Sequence, residues 1–222
     1  YLPASLNKVP FMIEYLKYAE SNTDVLTQKV KVENNIPVTN NLQEIIPEDE
    51  AKIGESYTVE ELISKMIKYS DNNSFYALAN HLDRKYFDST YTDFNIAYPE
   101  DQSDKPDFIT TYDFSYFLRV LYNATYLKRD LSEKALKYMS EVNFKDGIVA
   151  GVPRDTKVSH KFGLRNDVDS SGKTVNRELH DCGIVYREND PYLLCIMTKS
   201  GSEIAQISDV VKSISEYIYR ET

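Results

Sequence analysis

Apolar residues recur at helical spacing early in the chain. From Ser5 to about Glu20, Val9, Met12, Ile13 and Leu16 fall on one face, with Pro3 and Ser5 as favourable starting residues. The stretch from Val25 to Ile53 shows no period and contains Pro37, Pro47 and several Asn, so it is expected to wander over the surface. Thr58-Val59-Glu60-Glu61 is a capping box, and Leu62, Met66 and Ile67 give the stripe of the helix behind it. That pattern breaks at Tyr69-Ser70-Asp71-Asn72 and resumes with Phe75, Leu78, Ala79 and Leu82. Tyr98 to Phe108, acidic and carrying Pro99 and Pro106, reads as a loop; helices follow from Thr111 to about Ala124 and from Ser132 to about Val142.

The last third changes character. Lys157–Leu164, Arg177–Tyr186 and Tyr192–Thr198 read as strands, separated by turn-like Asp169–Lys173 and Asn189–Pro191. A closing helix runs from Glu203 to Tyr219, with Ile204, Ile207, Val211, Ile214 and Ile218 at helical spacing. Helices, then a meander of strands, then a helix is the order of an α+β fold.

Composition narrows the field. A chain of 222 residues with no repeat or low-complexity linker is read as one domain over 1–222. A net charge of −9 repels phosphate backbones, which argues against nucleic acid as a partner. No stretch reaches the ~18 apolar residues of a membrane helix. No signal peptide is visible, but the chain opens on Tyr1 rather than Met, as a trimmed sequence does, which leaves room for an export signal that has been removed. Cys182 and Cys195 lie on two candidate neighbouring strands; their spacing does not demand a disulfide, and two buried free thiols is the favoured reading. His81, His160 and His180 are too scattered for a zinc site, so no metal or cofactor is expected, and His160 and His180 are read as hydrogen-bonded structural residues.

Three short motifs carry chemistry. Ser5-Leu6-Asn7-Lys8 places a hydroxyl at a helix start and an amine one turn later on the same face. A serine needs a base to become a nucleophile, and a lysine serves if burial or nearby positive charge lowers its pKa. The helix N-terminus adds free N–H groups that favour developing negative charge. The pattern S-x-x-K is nevertheless common at helix starts. Ser70-Asp71-Asn72 sits between two helices, where the plain reading is an N-cap cluster; the functional one makes Ser70 a proton relay and Asn72 an amide that holds substrate. His160-Lys161-Phe162-Gly163 lies on a strand. A strand lysine is usually solvated; functionally, Lys161 supplies positive charge for a substrate carboxylate and Gly163 lets a substrate backbone lie close.

Each motif alone is weak, but S-x-x-K, then S-D-N, then K-x-G, in this order, resembles the signature of class A β-lactamases and penicillin-binding proteins. Pro3-Ala4-Ser5-Leu6-Asn7-Lys8-Val9-Pro10, Tyr57–Leu62 and Asp181-Cys182-Gly183-Ile184-Val185-Tyr186 extend the likeness over essentially the whole chain.

The resemblance implies an antiparallel sheet flanked by helices beside a helical region, with the active site between them. It implies that Ser5 attacks a β-lactam or a peptidoglycan-type amide, that Lys8 is the acylation base and that Ser70 passes a proton to the leaving nitrogen. The N–H groups of Ser5 and Leu164 would form the oxyanion hole, and Asn72, Lys161, Phe162 and Gly163 would line the substrate. It also implies an extracytoplasmic location. Oligomeric state is not legible.

Three departures stand against this. Phe162 occupies the place of a threonine whose hydroxyl would touch the substrate. The first two strands of the family sheet are not found ahead of Ser5, so strand Tyr192–Thr198 is expected to need a neighbour. The loop that carries a deacylating glutamate reads Pro99-Glu100-Asp101-Gln102, with Gln102 in the glutamate's place, and deacylation is expected to be weak. The alternatives are a DD-carboxypeptidase or transpeptidase, and a degenerate binding module that has lost catalysis; the intact Ser5, Lys8, Ser70, Asn72 and Lys161 argue against the last.

Overall fold

The computed structural model describes residues 1–33, 44–82, 89–97, 101–102, 105–106 and 109–222. A 3-10 turn, Ala4–Asn7, leads into α1 (Lys8–Ala19), and a second, Val25–Thr27, precedes β1 (Lys29–Lys31). Then come β2 (Ser56–Thr58), α2 (Val59–Lys68), α3 (Asn72–His81) and α4 (Ser89–Asp93). Two-residue strands β3 (Asp101–Gln102) and β4 (Lys105–Pro106) precede α5 (Thr111–Asn123) and α6 (Arg129–Ser140). A 3-10 turn, Ile148–Gly151, opens the final part: β5 (Val158–Val168), β6 (Thr174–Val185), β7 (Tyr192–Met197) and α7 (Ile204–Glu221).

The chain divides into two compact units. One, helical, comprises Asn7–Tyr98 and Val120–Asn143; the other, built on the sheet, comprises Tyr1–Leu6, Pro99–Arg119 and Phe144–Thr222. Helix α5 contributes to both.

In the helical unit α2 packs on α1, α3 and α6. The capping box starts α2: the Glu61 N–H donates to Thr58 Oγ1 (3.2 Å) and the Thr58 N–H to Glu61 Oε2 (2.7 Å). Behind it Leu62, Ile63, Met66 and Ile67 are fully buried, as are Val9, Met12 and Ile13 of α1. The stretch expected to be irregular supplies β1, which pairs antiparallel with β2, Val30 opposite Tyr57. Helix α4 had no sequence signal; the buried Glu14 carboxylate holds its start, accepting from the Thr90 N–H (2.5 Å) and the Ser89 hydroxyl (2.7 Å). The expected 98–108 loop contains the antiparallel pair β3–β4. Pro99 and Glu100, and the side chains of Asp101 and Gln102, lie outside the described residues.

The sheet unit holds a three-stranded antiparallel sheet in the order β5-β6-β7. The outer edges of β5 and β7 pair with no strand among the described residues. Helix α7 packs on β6 and on the Ile148–Gly151 turn, and the Ser215 hydroxyl donates to Ile148 O (2.9 Å). Two hydrogen bonds fix the phase of the sheet: Tyr186 N–H to Lys157 O, and Thr198 N–H to Leu179 O. Antiparallel partners alternate between bonded and non-bonded pairs. Lys161 and Cys182 are therefore a bonded pair, and Leu164 and Leu179 a non-bonded one. It follows that Leu164 turns its N–H to the open edge of β5.

The same alternation makes Cys182 and Cys195, directly opposite across β6–β7, a non-bonded pair, the kind that brings side chains closest. They form a disulfide, which corrects the expectation of free thiols. Thirteen residues of separation carry no signal of their own; the register supplies the proximity. Opening this bridge is expected to cost about 2–4 kcal/mol. Thermal unfolding with and without reductant should differ by several degrees, and the Cys182→Ala/Cys195→Ala variant should match the reduced protein; coincident transitions would show that the bridge contributes nothing.

Candidate active site

The Ser5 segment is assembled within the sheet unit. Ser5 lies in the 3-10 turn Ala4–Asn7 and is partly exposed, whereas the α-helix proper begins only at Lys8. The turn is closed by the Leu6 N–H donating to Pro3 O (3.0 Å). Ala4 just ahead has φ of +48°, a left-handed conformation that non-glycine residues adopt at a cost of about 1–3 kcal/mol. The backbone donors of a first helical turn have no intrahelical acceptor, so the Ser5 N–H is positioned to serve something outside the helix.

Strand β5 supplies the other residues of this unit. A Cβ on Gly163 would stand 3.1 Å from Pro3 O and 3.2 Å from the backbone nitrogens of Ser5 and Leu6. What presses on Gly163 in the structure is the turn that carries Ser5. Leu164 follows, with its N–H turned to the same open edge. Lys161 is fully buried, against the habit of strand lysines; its amine donates to Phe162 O (2.8 Å) and lies 4.0 Å from the centre of the Phe162 ring. Phe162 stacks on Phe144 with centroids 4.5 Å apart, so the side chain in the threonine's place works as core. One residue back, His160 Nδ1 meets Asp181 Oδ1 at 2.8 Å, and Asp181 Oδ2 accepts the Ile148 N–H (2.8 Å). That buried link ties β5 to the Ile148–Gly151 turn, and sequence reasoning gave it no specific partner.

The helical unit brings Lys8, Ser70 and Asn72 together. The Lys8 amine, 4% exposed, donates to Ser70 O (2.5 Å) and Asn72 Oδ1 (2.7 Å), and lies 3.3 Å from Ser70 Oγ. Burial pulls its pKa down from 10.5 to about 7, against the pull of the nearby Asp71 carboxylate. The Ser70-Asp71-Asn72 turn makes this geometry available. Ser70 has φ of +57°, which swings its carbonyl and hydroxyl toward the amine. Asp71 is the N-cap of α3: Oδ1 accepts the Asn73 N–H, and Oδ2 accepts those of Ser74 and Ala51, each at 3.0 Å. The capping reading and the site reading of this motif thus fall on different residues, Asp71 capping while Ser70 and Asn72 face Lys8.

Among the described residues no group of His, Cys, Asp and Glu is placed to hold a metal ion.

A family model described as the beta-lactamase enzyme family matches residues 1–222. No curated protein matches the chain. A variant of PBP-A solved as its acyl-enzyme complex with penicillin G is similar at 17% identity and a TM-score of 0.75, over 100% of this chain and 81% of that one. A beta lactamase from Xanthomonas campestris pv. campestris is similar at 20% identity and 0.76, over 98% and 82%. A class A beta-lactamase representative from Bacteroides cellulosilyticus is similar at 19% and 0.77, over 99% and 83%. At such identities the likeness is one of fold: a helical part with a small antiparallel sheet.

The Lys8 geometry has a stability consequence. Folding lowers the lysine's affinity for its proton, so between about 7 and 10.5 the unfolded chain binds more protons than the folded one. The buried amine is therefore most destabilising below about 7, and the loss is recovered as pH rises toward 10.5. Lys8→Met is expected to be more stable than the wild type near pH 6, with its advantage shrinking by about pH 9.5. Urea unfolding of both proteins at the two pH values checks this; a difference independent of pH would mean that Lys8 titrates normally.

Proposed function

The chain belongs to the beta-lactamase enzyme family, and from that membership we propose a serine hydrolase acylated on Ser5 by β-lactams or by related peptidoglycan-type amides. The observation that carries the reading is the Lys8 amine, buried against Ser70 and Asn72 with its pKa lowered to about 7. An amine of that pKa is substantially neutral at physiological pH and has a lone pair to accept a proton.

In the proposed reaction neutral Lys8 removes the Ser5 hydroxyl proton as Oγ attacks the carbonyl carbon. The N–H groups of Ser5 and Leu164 stabilise the oxyanion that forms. When the tetrahedral intermediate collapses, the C–N bond breaks and Ser70 gives its hydroxyl proton to the leaving nitrogen. The Lys8 ammonium returns a proton to Ser70, at 3.3 Å, which regenerates the neutral amine. Asn72 and Lys161 orient the substrate. Phe162 offers no hydroxyl to a substrate carboxylate, so Lys161 is left with the larger share of that recognition. A penicillin-acylated PBP-A variant of similar fold supports penicillins as probes.

Release of the acyl group is a second step that needs its own base to activate water. Gln102 stands in the sequence where the family carries a glutamate, and an amide does not accept a proton from water. The proposed outcome is slow deacylation. We place the protein outside the cytoplasm, a location supported by the Cys182–Cys195 disulfide, since such bridges persist in oxidising compartments.

Mass spectrometry after mixing with penicillin G is expected to reveal a long-lived adduct on Ser5, with turnover about 10²–10⁴-fold below that of a glutamate-equipped enzyme. Ser5→Ala should give no adduct. Rapid multiple turnover without a trapped adduct would count against slow deacylation. The acylation rate should also rise with pH through a single ionisation near 7 and then level off, following the free base form of Lys8; a rate that is flat from about pH 5 to 9 would exclude Lys8 as the base.

A further inference from the structure

Two side chains of β6 hold the backbone that leads into Ser5. The Leu2 N–H donates to Glu178 Oε2 (3.2 Å), and the Leu2 carbonyl meets His180 Nε2 (3.0 Å). A carbonyl only accepts, so Nε2 carries the proton. Glu178 and His180 are two residues apart on β6 and so share one face of the sheet. Both are buried.

The grip is reinforced on each side. The Tyr1 ring packs edge-on against the His180 imidazole, centroids 5.4 Å apart, and the Tyr1 carbonyl accepts the Ile109 N–H (2.9 Å). Lys199 donates to the Glu178 carboxylate (2.9 Å) and also to Asp167 (2.8 Å), which fixes the acceptor that Leu2 uses. Downstream, Pro3 O closes the Ser5 turn, and that turn rests on Gly163. Gly163 is the register partner of His180. One cross-strand pair therefore meets the nucleophile segment twice: the glycine by offering no side chain, the histidine by a hydrogen bond.

Simple coverage of a sheet face does not call for this chemistry. Buried polar groups cost stability unless satisfied, and apolar residues of similar volume often hold a face at least as well. What a carboxylate and an imidazole add is direction: one accepts and the other donates, to the N–H and C=O of a single residue. That pairing fixes where Leu2 stands along the sheet, and the short run to Ser5 inherits the position.

The geometry points to Glu178 and His180 as positioning residues for Ser5, acting through Leu2 to hold its N–H and hydroxyl in register with Gly163 and Leu164. The inference rests on the reading of Ser5 as the nucleophile. Misplacement of a reacting group by about 1 Å can cost up to 10²-fold in rate.

The test uses the whole chain and penicillin G. His180→Leu removes the donor and His180→Gln keeps an N–H there; Glu178→Leu and Glu178→Gln do the same for the acceptor. Two quantities are measured: the acylation rate constant as a function of penicillin concentration, and hydrogen exchange at the Leu6 amide. With either leucine variant the rate constant at saturation should fall about tenfold or more, while the half-saturating concentration stays put. Exchange at Leu6 should quicken while that of the β5–β6 amides stays at the wild-type rate, and the glutamine variants should restore most of both. Wild-type acylation and exchange in the leucine variants would overturn the proposal. So would a loss in all four variants that merely tracks the fraction unfolded. If the wild type itself forms no Ser5 adduct, the nucleophile reading fails, and the Leu6 exchange alone decides whether these side chains hold the turn.

Discussion

Taking an ammonium group out of water costs several kcal/mol unless acceptors meet its hydrogens or it gives up its charge. Lys8 meets acceptors at Ser70 and Asn72 and has its pKa drawn down to about 7, and much of the helical unit can be traced from that requirement. Its amine needs the Ser70 carbonyl, which reaches it only because Ser70 takes a left-handed conformation between α2 and α3. That turn persists because Asp71 caps α3 and also accepts from Ala51, fastening the corner to a distant stretch of chain. The capping box at the far end of α2 fixes where that helix begins, and with it where the corner falls. A strained residue, a buried carboxylate and two helix starts thus converge on one buried amine.

The sheet unit has a simpler determinant, the phase of its hydrogen bonding. Once Lys157 pairs with Tyr186, every later position on β5 is assigned either to β6 or to the open edge. The Leu164 N–H and the Phe162 carbonyl fall outward, and the latter receives the Lys161 amine. The same parity, carried across β6, decides that Cys182 and Cys195 face each other where side chains come closest. A one-residue slip of β5 on β6 would turn the Leu164 N–H inward, and one of β7 on β6 would take Cys195 out of register with Cys182.

The parts of this fold legible in the sequence are those whose chemistry is local. The Thr58–Glu61 box announced α2 because both partners lie within one turn, and the change from helical to strand patterning after Lys157 located the sheet. Ser5, Lys8, Ser70 and Lys161 stood out as motifs for the same reason. Elements that depend on remote partners were not legible. β1 exists because β2 pairs with it, and α4 because Glu14 holds its start. The disulfide follows from register rather than spacing. The burial of Lys161 and the stacking of Phe162 on Phe144 are tertiary facts about side chains that look ordinary in the sequence. Glu178 and His180 carry no signature at all, since their partner is the backbone of residue 2.

The interleaving of the two units bears on how the protein comes into being. The sheet unit draws on Tyr1–Leu6 at one end of the chain and Phe144–Thr222 at the other, while the helical unit fills most of the interval. Neither is a contiguous segment, so neither corresponds to a fragment that a single cut could release. The loop closed when Leu2 meets Glu178 spans 176 residues, among the most non-local contacts available to a chain of this length. Contacts of that kind form late and slow folding. During synthesis the Ser5 turn leaves the ribosome well ahead of β5 and β6, so the surface it rests on is made more than 150 residues later.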